Sequence, residues 1–118
     1  MRTLFIITLC CLGGVCSTFA HAFVDHASPA VGSTVHAPLA EVKIWFTEKL
    51  VLPFSDLRVL DASGKQVDKH NKHLDPQNGE LLIVSVPSLK AGKYTVSWRA
   101  TSVDTHVTNG TFTFELSP

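Results

Sequence analysis

Beyond its first 20 residues the chain contains neither cysteine nor methionine: Cys10, Cys11, Cys16 and the single Met1 all lie in the leading segment. No disulfide can therefore brace residues 21–118, and no thiolate or thioether is available there to a soft metal ion. A strong charge of one sign is also missing. Lys plus Arg number 10, as do Asp plus Glu, so nothing draws the chain to nucleic acid or anionic lipid over a distance. After the leader no apolar pattern at helical spacing runs longer than two turns, and no repeat or low-complexity tract is visible. These absences exclude a disulfide scaffold, a helical bundle and a nucleic-acid clamp.

What is present begins with an export signal. Arg2 precedes the apolar run 4–12, which has the length of a secretory core and is too short to span a bilayer. The reading is a signal peptide over residues 1–20 and one domain over residues 21–118. Thr18-Phe19-Ala20 puts small residues at both cleavage positions and would free His21. Ala20-His21-Ala22 is an equally acceptable site and would free Phe23. None of the three cysteines follows the pattern of a lipid-attachment site. Cleavage after Ala20 leaves 98 residues carrying nine basic and ten acidic side chains, a net charge of −1. That length supports one core and not two, and the core must hold by packing alone.

Residues 41–47 alternate, with Val42, Ile44 and Phe46 on one side and Lys43, Trp45 and Thr47 on the other, as a half-buried strand does. Residues 94–100 place Tyr94, Val96 and Trp98 on one face, and residues 110–116 do the same with Phe112, Phe114 and Leu116. Further strands are expected within residues 21–28, 57–61 and 80–86, separated by Pro and Gly punctuation. Residues 50–54 read as irregular, and the polar stretch 66–79 as a loop or weak edge hairpin. Short strands with turns between them, in about a hundred residues, predict an all-β, immunoglobulin-like Greek-key sandwich of about seven strands.

The chemistry concentrates in residues 102–110, Ser-Val-Asp-Thr-His-Val-Thr-Asn-Gly. On extended backbone Asp104 and His106, two apart, leave the same face roughly 7 Å from one another and can converge on one atom. Alone, such a pair reads as a surface ion pair. A free N-terminal His21 changes its meaning, because the terminal amine and that residue's own Nδ1 can chelate one metal. With His106 this makes three nitrogens, and Asp104 adds an oxygen. Such a set suits Cu(II), at the top of the divalent affinity order, over the tetrahedral preference of Zn(II).

From His21 to the end, the sequence resembles the CopC-type periplasmic copper-binding proteins. The features that carry the resemblance run in order: His21-Ala22 after a signal, Ser28-Pro29 with Ala30 and Gly32, Phe46-Thr47-Glu48-Lys49-Leu50, Tyr94-x-Val96-x-Trp98-Arg99, and Ser102-x-Asp104-x-His106 followed by Gly110 and Phe114. The resemblance implies one Cu(II) per mature chain, held by His21, Asp104 and His106, with Glu48 close by as a weak ligand or as an orienting carboxylate. It also favours cleavage after Ala20 and a periplasmic location. It implies a carrier or buffer in copper resistance or import, not an enzyme. The partner would be a membrane copper importer of the CopD type or another periplasmic copper protein, without nucleic acid or membrane insertion. Better-known members have glycine where this chain has Thr105 and often proline where it has Val107, which leaves the loop's shape open. A methionine-rich Cu(I) loop found in some members has no counterpart in residues 69–78.

The remaining histidines read as solvated. His70 and His73, with Asp75 nearby, offer at most a hard-ligand substitute for that loop; His26 beside Asp25 reads as a surface residue; His36 reads as a loop residue with no partner. Two other functions compete with the carrier. A terminal His with a second His also describes the copper site of polysaccharide monooxygenases, but 98 residues leave little room for their broad substrate surface. An Asp beside the copper would also fill the position oxygen chemistry needs open. A metal-free structural sandwich is the other alternative.

Overall fold

The structure, a computed structural model, describes residues 23–118. Eight strands run in the order β1 (Val24–Ser28), β2 (Thr34–His36), β3 (Glu41–Phe46), β4 (Asp56–Leu60), β5 (His73–Asp75), β6 (Asn78–Ser85), β7 (Gly92–Thr101) and β8 (Val107–Ser117), with one 3-10 turn at Leu52–Phe54. They form two four-stranded sheets, ordered β1-β3-β6-β5 and β2-β8-β7-β4. The immunoglobulin-like sandwich expected from the alternation is therefore present. Among the described residues no helix is long and apolar enough to cross a membrane.

Alternation explains how the layers close. Val42, Ile44 and Phe46 of β3 and Leu82 and Val84 of β6 face Leu57 and Val59 of β4, Tyr94, Val96 and Trp98 of β7, and Phe112, Phe114 and Leu116 of β8; all are buried in one cluster. Phe46 meets Phe23 at a 5.5 Å centroid distance and Trp98 edge-on at 5.4 Å, so aromatic pairs fill the end of the sandwich where the chain enters. The longest ladder, β7 with β8, runs from Gly92 opposite Leu116 to Thr101 opposite Val107. Within it Gly110 stands opposite Trp98, and a Cβ at residue 110 would approach the indole to 2.9 Å. Glycine there lets the ring lie flat over the neighbouring strand.

Two expectations are corrected and one is borne out. His36 is not an unpartnered loop residue: it ends β2, which pairs parallel to β8, and its Nδ1 lies 2.7 Å from Ser117 Oγ. This short strand also raises the count to eight. The segment 102–110 is not extended throughout; residues 103–105 form a turn and β8 already begins at Val107. The polar stretch 66–79 does hold an edge hairpin, since β5 pairs with β6. Its polar side chains are used: Asp68, a buried carboxylate, accepts from the backbone N–H of Val59 (2.8 Å) and of His70 (2.9 Å) and so seals the free edge of β4.

Candidate metal centre

The β7–β8 turn and the connection after β3 are stitched side by side. The Val51 N–H donates to the Thr101 carbonyl (2.8 Å), the Val103 N–H donates to the Lys49 carbonyl (3.0 Å), and Leu50 bridges to Ser102. This crossing from one sheet towards the other carries Glu48 against the turn that holds Asp104 and His106. One ligand atom from each of Glu48, Asp104 and His106 lies within 4.8 Å of the other two, and among the described residues no other three potential ligands gather so closely. Donors bound to one ion at about 2.0–2.2 Å stand at most about 4.4 Å apart. Small side-chain rotations therefore close the trio on a cation.

Ser102 builds the turn. Its hydroxyl is fully buried, donates to Asp104 Oδ1, and accepts from the His106 N–H at 3.2 Å. The Thr105 N–H donates to the Ser102 carbonyl (2.8 Å) and the Ser102 N–H to the His106 carbonyl (2.9 Å). The hairpin is thus closed around one serine, and Asp104 and His106 are brought together by a tight turn rather than by strand spacing. His106 Nδ1 lies 3.4 Å from Asp104 Oδ1. The Ser102 hydroxyl, followed by His106 and Glu48, holds the Asp104 carboxyl below the usual carboxylate range, against a partial loss of solvent. Asp104 is thereby kept as an anion. Sequence reasoning assigns Ser102 no role, although a serine two residues before an aspartate at a hairpin end is a recognisable turn signal.

The turn also requires a left-handed residue, and Thr105 supplies it at φ 73°. A β-branched residue is strained there. Glycine at residue 105 should relieve about 1–2 kcal/mol of that strain and lose about 0.5–1 kcal/mol to chain entropy. Thr105→Gly should therefore raise stability by roughly 0.5–1 kcal/mol in chemical denaturation; a loss of stability would show that the turn is not held in this conformation.

The other candidates are placed as follows. His21 lies outside the described residues. The chain enters at Phe23, whose carbonyl accepts from the Thr47 N–H (2.9 Å) and from Thr47 Oγ1 (3.3 Å), immediately beside Glu48. His70 Nδ1 is 3.3 Å from Gln66 Nε2 and His73 Nδ1 is 2.8 Å from the Asn71 carbonyl, so these two histidines and Asp75 are engaged separately. His26 is exposed and bonded to Asp25 at 2.6 Å, as expected, and it also stacks on Trp45 at 4.3 Å.

Residues 24–117 match the family model described as the CopC domain. Protein YobA of Escherichia coli is 33% identical over 101 residues, which cover 85% of this chain and 82% of that protein. Copper resistance protein C of Pseudomonas syringae pv. tomato is 32% identical over 125 residues, covering 98% and 96%. Among solved structures, CopC from Methylosinus trichosporium superposes with a TM-score of 0.76 at 30% identity, covering 83% of this chain and 95% of that one.

Proposed function

The chain belongs to the CopC family, and we propose that it is an exported Cu(II)-binding protein whose ion is held by the freed terminus of His21 together with Asp104 and His106. The signal is residues 1–20 and the working domain residues 21–118, in the periplasm. The observation that carries the reading is the convergence of Glu48, Asp104 and His106 at the end of the sandwich where the chain enters. Phe23 is bonded to Thr47, immediately before Glu48, which supports a ligand role for His21, two residues earlier in the sequence. Its amine and imidazole complete a set of three nitrogens and an oxygen. That set favours Cu(II), with Glu48 orienting the amine or a bound water.

The geometry favours a carrier or buffer over an enzyme. The side chains of Asp104 and His106 are 56% and 72% exposed, on a turn open to a partner and not in a cleft that excludes water. An ion held there can be exchanged with a membrane importer or another copper protein, in resistance or in uptake.

Titration of the exported protein against a competing chelator tests this. One Cu(II) should bind tightly, with no comparable Cu(I) site, because residues 21–118 lack Cys and Met. Affinity should fall as the solution is acidified, because protons compete with the metal for the imidazole and amine nitrogens. Asp104 does not set that limb. Its pKa is lowered, so its carboxylate is lost only as pH falls through a value below the usual one. Asp104→Asn should accordingly weaken binding without moving the midpoint. Tight Cu(I) binding, or a midpoint that follows Asp104, would overturn the donor set.

A further inference from the structure

The outer face of the β4–β7–β8 sheet carries a feature the metal site does not use. Asp56 and Arg58 of β4 stand opposite Arg99 and Ser97 of β7, and Arg99 stands opposite Asn109 of β8. These residues line a groove of about 310 Å³. It continues into a second hollow of about 380 Å³ that shares Asp56 and Arg99 and adds Phe54 and Lys72. Arg58 is spoken for, its Nε bonded to Asp56 at 2.7 Å. Among the described residues Arg99 has no carboxylate within ion-pair distance, and Lys72 donates only to the Ser55 carbonyl. Two cations thus remain uncompensated here, in a domain whose net charge is −1.

The same face gathers exposed apolar surface. Phe54 is 67% and Val107 48% exposed, and both lie beside Arg99. Phe54 flanks it in the second hollow, and its carbonyl accepts from Thr101 Oγ1 at 2.7 Å; Thr101 in turn pairs with Val107. Val107 directly follows His106. The groove therefore opens next to the metal centre.

We infer that this groove docks an acidic protein segment bearing an apolar side chain, with its carboxylates on Arg99 and Lys72 and its apolar group against Phe54 and Val107. Charge complementarity selects the acidic partner. A recessed floor with hydrogen-bonding groups from Ser97, Asn109 and Thr111 fits side chains and peptide groups better than the headgroups of a flat bilayer. That the docked segment belongs to a protein receiving or delivering copper rests on the carrier reading above; the docking itself does not.

The probe is the acetylated, amidated peptide Glu-Asp-Phe-Asp-Glu, titrated into the copper-free exported protein and followed by backbone amide shifts. Shifts should centre on Phe54, Arg99 and Asn109 and vanish at about 0.5 M salt, where screening shortens to a few ångström. Arg99→Glu should weaken binding about fivefold, the upper range for one exposed ion pair. Lys93→Glu, on the same face of β7 but roughly 20 Å away, should leave it unchanged. Any of four results would overturn the proposal: no shifts, equal binding of Lys-Lys-Phe-Lys-Lys, binding to phosphatidylglycerol vesicles but not to the peptide, or shifts that grow with protein concentration alone, which would make a second copy the occupant. Copper affinity is measured separately on the same proteins, so failure of docking and failure of the carrier reading are seen independently.

Discussion

An exported chain with a single residue left ahead of His21 should fold as the native domain does and bind Cu(II) more than about 100-fold more weakly. Loss of an orienting partner around a metal already costs 10–100-fold, and the extension removes a ligand outright. It turns the amine of His21 into an amide nitrogen, a poor ligand unless it is deprotonated, and the chelate of amine with imidazole cannot close. Glu48, Asp104 and His106 are unaffected, because their convergence depends on the stitching of residues 49–51 to residues 101–103. His106→Ala should produce a similar loss with the terminus intact, and the two changes together should add little, since each dismantles the same sphere. Intact mass of the exported protein establishes whether residue 21 is first. Equal affinity with and without the extension would show that side chains alone hold the ion.

How much of this was legible follows from the range of the interactions. Strands β3, β7 and β8 announce themselves because Val42/Ile44/Phe46, Tyr94/Val96/Trp98 and Phe112/Phe114/Leu116 each alternate against polar neighbours within one segment. Strand β2 does not, since three residues between Gly32 and Pro38 carry no period and its pairing is with residues 115–117 at the far end of the chain. Asp104 and His106 stand out by their spacing, yet the spacing argument supposes an extended backbone where the structure has a turn closed by Ser102. Glu48 reaches the site through a crossing between sheets, so nothing in its local sequence points there; only the family resemblance does. The groove at Arg99 needs the pairing of three strands before Arg99, Asn109, Asp56 and Phe54 become neighbours at all.

Replacing Phe114 by Ala should cost about 3–5 kcal/mol, a large share of the 5–15 kcal/mol by which a domain of this kind is stable. Phe114 is fully buried and stacks on Tyr94 at a centroid distance of 5.6 Å. With no disulfide to limit the unfolded chain, the cavity has no covalent offset. Phe114→Leu, which keeps most of the volume, should cost less than about 1.5 kcal/mol. Residue 114 lies eight residues along β8 from His106, roughly 26 Å on an extended strand, so the metal centre should be intact in whatever fraction remains folded. Saturating Cu(II) should accordingly raise the stability of Phe114→Ala by the same increment as that of the native protein, set by ligand concentration over Kd. Urea denaturation with and without copper measures both terms. A variant that copper cannot stabilise, beside a native protein that it can, would mean that the substitution shifts the β7–β8 ladder itself and carries the turn out of register with Glu48.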